Sequence, residues 1–209
     1  MKKVILVMAL LVVGLLFWRY RAGRSLGGND SGKPSGPVSA VVAEHADAKL
    51  RSLKEGETTA VALHANELQS LLQFRFLQLL PAFVEAPEIE LDDARLELRA
   101  RVPVEQLPSL NELGEAAAFL PDTTEVGLIG TLLPLDSGRV ALVIQQVRAA
   151  RVPLPQRLVP RALQQLGRKD EPGLPRDAFA LPLPPGAAGA YLEGDSLVLL
   201  AQPLPRSNP

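Results

Sequence analysis

The sequence predicts an α+β fold: a twisted antiparallel sheet with a long apolar helix packed along it, preceded by one transmembrane helix. Three observations predict it. Fifteen consecutive residues, Val4 to Trp18, carry neither charge nor proline. The stretch 65–80 is apolar on most faces at helical spacing. Two segments, 88–104 and 126–147, read as β-hairpins that alternate with helices along the chain, which is the α+β pattern.

At about 1.5 Å per residue the first run spans roughly 22 Å, short of a hydrocarbon slab of about 30 Å. Its flanks complete the crossing: Lys2, Lys3, Arg19 and Arg21 snorkel, and Trp18 and Tyr20 suit the interface. Val4, Leu10, Leu16, Phe17 and Trp18 are the expected bilayer contacts. A cleaved secretory signal shares the basic start and apolar core, but it needs small residues at the cut. Here Trp-Arg-Tyr-Arg follows, which favours a retained signal-anchor. Basic residues on the two sides of the span nearly balance, and the very short head places the body outside the cytoplasm.

Residues 22–37 (AGRSLGGNDSGKPSGP) have almost nothing to bury and form a flexible tether. A Gly-rich coil of this length reaches about 20 to 24 Å. The organisation is thus an anchor over 1–21, a linker over 22–37, a single domain over 38–203 and a disordered tail over 204–209. Six of the 22 basic residues precede Val38, but only Asp30 of the 23 acidic ones does, so the body is acidic in balance. A phosphate backbone demands the opposite, so nucleic acid is not expected as a partner. Cysteine is absent, which excludes disulfides, thiolate metal sites and thiol nucleophiles.

Within the body, Ser39 to Lys54 reads as a surface helix stopped by Gly56, with Val42, Ala46, Lys49 or Leu50, and Leu53 at helical spacing. Glu57 to Leu63 is a short strand. The second helix begins near His64 and ends before Pro81. Leu68, Leu72, Phe76, Leu79 and Phe83 trace one stripe, and Leu71, Phe74, Leu77 and Leu80 widen it until only a strip around Gln69, Ser70, Gln73 and Gln78 is polar. Such a helix is a core helix against a sheet, a wall of a lipid-accepting groove, or a docking face for a partner helix.

The first hairpin runs through Asp92-Asp93. On its second strand Leu96, Leu98, Ala100, Val102 and Val104 alternate with charged residues, and Pro103 marks an edge or a strand end. A short helix is expected over Leu110 to Leu120. The second hairpin turns at Asp136-Ser137-Gly138 and is apolar on both parities. Either protein covers both faces or one meets something hydrophobic that is not protein. Gly127 and Gly130 within it mark a bulge or a close approach. A helix follows from about Gln156 to Gly167, with Leu158, Val159, Ala162, Leu163 and Leu166 as its buried stripe. Ala178 to Leu183 and Gly189 to Leu200 supply the last strands, turning at Gly194-Asp195.

No catalytic motif stands out. His45, on a polar helix, reads as a solvated side chain. His64 occupies a helix N-cap position with Glu67 three residues on, as in a capping box. Asp92, Asp93 and Asp122 read as turn residues, and GLIG at 127–130 lacks the helix a phosphate cradle requires. No metal site, cofactor or catalytic residue is expected.

The strand-to-helix step TTAVALHANELQSLL, the hairpin at Asp136 to Gly138, the Pro153-Leu154-Pro155 opening of a helix and the Leu181-Pro182 step before a final strand are shared landmarks. On these, the chain resembles small membrane-anchored bacterial proteins of unknown function related to the tubular lipid-binding (TULIP, or BPI-like) superfamily, the YpmS-like proteins among them. The resemblance implies a helix lying along a curved sheet with lipid chains in the gap. It also implies a bacterial inner (cytoplasmic) membrane location. The expected function is a membrane-anchored, non-enzymatic domain that binds or transfers a lipid or other apolar ligand. Its contacts would be Leu72, Phe74, Phe76, Leu77 and Leu80 facing Leu128, Leu132, Leu142 and Ile144. The alternative is an assembly factor that docks a membrane protein partner through the apolar helix.

Overall fold

The computed structural model describes residues 37–106, 121–135, 138–150, 152–153, 155–165, 168 and 170–201. The expected anchor, the linker up to residue 36, the helix at 110–120, the turn residues Asp136 and Ser137 and the tail lie outside them.

Helix α1 (Ala40–Glu55) forms where expected. The Ser39 side chain accepts the Val42 N–H, and Gly56, at φ 76°, closes the other end with its N–H on Leu53. Its inward face is built from Ala43, Ala46, Asp47 and Leu53. The small alanines let it approach closely, and the aspartate is the exception that needs a partner.

Among the described residues nine strands form two antiparallel sheets. The small sheet orders β1 (Ala60–His64), β9 (Ser196–Leu200) and β8 (Gly189–Glu193). The large sheet orders β2 (Glu85–Asp92), β3 (Arg95–Pro103), β4 (Thr123–Pro134), β5 (Arg139–Ala149) and β6 (Val152–Pro153), with β7 (Ala178–Pro182) also on β5. Asp93 and Ala94, both at positive φ, make the two-residue turn between β2 and β3, a conformation that matches strand twist. Pro103 is the last residue of its strand, paired with Thr123.

Period-two patterning then decides the faces. Ile89, Leu91, Leu96, Leu98, Ala100, Val102, Val126, Leu128, Val140, Leu142 and Ile144 turn inward and meet Val61, Leu63, Ala190 and Leu199 of the small sheet in one core. The opposite face of β3 is wet: Arg99 bridges Glu90 at 2.6 Å and Glu97 at 2.8 Å. That hydrogen bond from Arg99 holds the Glu97 carboxyl below its ordinary range. In β4 the register slips between Ile129 and Gly130. A Cβ on Gly130 would lie 2.5 Å from the Val143 carbonyl oxygen, so only glycine admits the neighbouring strand at this bulge. The second hairpin is less covered than its sequence suggests: Ile129 and Val143 are half-buried and Leu133 is exposed.

The predicted fold class is corrected. The described chain is mostly antiparallel sheet, and no long apolar helix forms over 65–80. Regular α-helix, α2, stops after Ala65–Leu71. Leu72–Phe76 widen into a π-turn and Leu77–Leu79 tighten into a 3-10 turn. Leu80 is then extended, as a residue before proline must be. A straight helix apolar on most faces would need cover on most sides. The altered winding instead keeps Leu72 and Phe76 buried and leaves Phe74 and Leu77 outside. The later helix is also shorter: a 3-10 turn, Gln156–Leu158, precedes α3 (Val159–Gln165), of which Val159 and Leu163 are buried. Among the described residues no helix is long and apolar enough to cross a membrane.

Candidate functional site

The nine residues expected to contact lipid are not gathered around one space. Leu72, Phe76, Leu128, Leu142 and Ile144 are packed into the core, and Leu80 and Leu132 lie against it. Phe74 and Leu77 are exposed. Among the described side chains of the expected stripe, a partner docking on 65–80 would therefore find those last two exposed.

The open space lies elsewhere, between the two sheets. A cavity of about 50 Å³ is walled by Leu63, Leu197 and Leu199 of the small sheet, by Leu91, Leu96 and Leu98 of the large one, and by Leu50 of α1 and Leu68 of α2. Of the expected contacts only Leu132 reaches it. No titratable side chain is among the residues lining it. An engineered apolar cavity of about 150 Å³ accepts benzene, so this space is too small for an acyl chain as it stands. Among the described residues no strand ladder joins the two sheets. The β2–β3 and β8–β9 turns are tied by the Ala94 N–H on the Gly194 carbonyl, at 3.2 Å. Aliphatic side chains of both sheets thus face each other across a seam that strand pairing does not lock along its length.

Charge is concentrated where α1 packs on α2, and this the sequence did not reveal. Glu67 is fully buried. Its carboxylate accepts from the Lys49 ammonium at 2.8 and 3.0 Å and from the His64 backbone N–H at 2.9 Å, and lies 3.1 Å from His45 Nδ1. The capping role read for Glu67 is present, but the solvated role read for His45 is corrected: α1 packs on α2 through it. Beside this cluster Arg75, on the π-turn, donates to Asp47 Oδ2 at 2.7 Å. Asp47 Oδ1 is buried with no hydrogen-bond partner among the described residues.

Burial pushes the Asp47 carboxyl above its ordinary value, against the hydrogen bond and charge of Arg75. The folded state therefore holds this proton more tightly than the unfolded chain does. The associated stability is complete below the ordinary value of 3.8 and is lost as pH rises through the raised folded value. Asp47→Asn abolishes the titration. The stability of the wild type relative to this variant is expected to fall from acid to neutral pH, as read from paired urea unfolding curves. A flat or rising difference would contradict the assignment.

His64, Ser196 and Asp195 come together as a superficially catalytic set. Ser196 Oγ is 2.8 Å from His64 Nδ1 and 3.0 Å from Asp195 Oδ1. Asp195, however, approaches the same ring nitrogen, at 3.4 Å. A relay requires serine and carboxylate on opposite nitrogens of the imidazole. His64 and Ser196 are simply facing residues on β1 and β9, and the trio ties the ends of those strands. Among the described residues no group of three His, Asp or Glu side chains is placed to hold a metal ion. No protein family model, characterised protein or solved structure matches this chain.

Proposed function

We propose that this protein is a membrane-anchored, non-catalytic module that takes an apolar ligand, such as the chain of a lipid, into the seam between its two sheets. The single observation carrying this reading is the cavity walled by aliphatic side chains from both sheets, with no titratable group among them. The lack of a ladder across the seam among the described residues supports it, because the sheets can part without breaking strand pairing. A cavity of about 50 Å³ must widen to take an acyl chain. Widening separates the leucines of the small sheet from those of β2 and β3. The apolar run at 4–18 and the short tether supply the proximity to lipid. The reading rests on this cavity and not on the resemblance to tubular lipid-binding proteins, whose long helix has no counterpart among the described residues.

The test uses the full-length chain in phospholipid vesicles with a diazirine-bearing fatty acid. Photolysis is expected to leave adducts on Leu63, Leu197 or Leu199. Ala190→Val, at a buried alanine of the lining, is expected to fill space, raise the stability of the ligand-free protein by about 1 kcal/mol and reduce the labelling. Adducts confined to the surface, or core adducts indifferent to this substitution, would overturn the reading.

A further inference from the structure

We propose that the body rests on the bilayer surface through Phe74 and Leu77, with the start of α1 beside them, so that the anchored chain meets the membrane twice. The inference rests on the anchor reading of residues 4–18 and is independent of what the inter-sheet cavity binds.

Five large apolar side chains are exposed among the described residues: Val38, Val41, Phe74, Leu77 and Leu133. Four of them belong to two neighbouring segments. Val38 and Val41 lie at the start of α1, and Val41 is 75 % exposed. Phe74 and Leu77, 41 % and 44 % exposed, lie on the π-turn and the 3-10 turn that follow α2. The Ser39 backbone N–H donates to Ser70 Oγ at 3.2 Å, which fixes the start of α1 against α2 about one turn before Phe74.

The local winding is what exposes them. Over 72–76 the π-turn keeps Leu72 and Phe76 in the core while Phe74 points out, and such turns recur at functional sites. Arg75, between two phenylalanines, is tied to Asp47, so the patch does not present it as an unpaired charge. An ordinary soluble surface scatters its exposed hydrophobes; a cluster marks a contact.

The chain itself identifies the occupant. The linker enters the body at Pro37 and Val38, next to this patch, and the 16 residues from 22 to 37 connect it to an apolar run able to cross a bilayer with its flanks. A coil of that length has a root-mean-square end-to-end distance of about 20 to 24 Å. The tether thus holds its attachment point, on average, within that distance of the lipid, and the exposed Val38 and Val41 stand at that point, with Ser39 tied to Ser70 about one turn before Phe74. Phenylalanine and leucine beside the headgroups bury apolar area in the acyl boundary, as interfacial helices do.

The absence of cysteine makes the test direct. Leu10→Cys, Phe74→Cys, Leu77→Cys and Leu133→Cys, each labelled with the environment-sensitive dye NBD, are reconstituted as full-length chains in phosphatidylcholine and phosphatidylglycerol vesicles containing doxyl lipid. Blue-shifted emission and loss of intensity to the doxyl quencher are expected at 10, 74 and 77 but not at 133. Quenching at 10 with 74 and 77 as wet as 133 would overturn the docking while leaving the anchor in place. No quenching at 10 would overturn the anchor and the docking with it. A blue shift at 74 and 77 without doxyl quenching would mean that a protein or a second copy covers the patch, and would also overturn it. The unsubstituted chain provides a second measurement, in which an acyl-chain photoreactive phospholipid should form adducts within 74–77.

Discussion

Gly186→Ala is expected to be among the most destabilising single methyl additions in this protein, lowering stability by about 3 to 5 kcal/mol. Gly186 sits at φ 92° in the turn between β7 and β8, which is closed by the Ala187 N–H on the Pro184 carbonyl. A Cβ there would lie 2.4 Å from the Lys54 Cα and 2.8 Å from the Leu53 carbonyl oxygen. Both contacts are backbone, so no rotamer change relieves them, and the last turn of α1 or the whole loop must move. Gly194→Ala is the control. Its φ of 56° is also left-handed, but an added Cβ meets nothing within 4 Å, so only the conformational strain of about 1 kcal/mol applies. Urea unfolding followed by circular dichroism separates the two effects. Equal losses at the two glycines would show that α1 does not press on the 184–187 turn.

That contact illustrates which parts of the fold were legible in the sequence. Features written within a few residues could be read: the helix starting near Ser39 and its Gly56 stop, the turn at Asp93, the alternation of β3 and the bulge glycine at 130. Features set by distant partners could not. Apolar residues on most sides of 65–80 suggest one long helix, because periodicity cannot say how many sides will find cover. Beyond the regular winding, which ends at Leu71, Arg75 meets Asp47, 28 positions away in the sequence. Likewise His45 looked solvated because its neighbours on α1 are polar, yet Glu67 lies against it. The division into two sheets depends on β1 pairing with β9, in which His64 faces Ser196 across nearly the whole domain. No local pattern encodes that pairing, and the cavity between the sheets inherits the same invisibility. The surplus of apolar surface was readable; the seam where it collects was not.

A contact between residues distant in the sequence also underlies the second large effect expected. Lys49→Met should destabilise the fold by about 2 to 4 kcal/mol, because it takes the cation from a carboxylate that has no access to water. The Lys49 ammonium touches both oxygens of Glu67 and also donates to the Ala62 carbonyl at 2.9 Å. One side chain thereby joins α1, α2 and β1. Without it, the partners left to Glu67 among the described residues are the His64 N–H and the neighbouring His45. A buried ion pair is not by itself stabilising, since desolvation offsets much of the attraction. Removing both charges should therefore be milder than removing one. In a double-mutant cycle, Lys49→Met with Glu67→Leu is expected to recover most of the stability lost in Lys49→Met alone. If the double variant were instead as unstable as the sum of its parts, the two groups would be acting separately, and the junction of the three elements would owe its stability to packing around Ala43 and Ala46. Recovery would place the charge cluster as a device that selects how α1 lies on α2, and hence which way the π-turn faces.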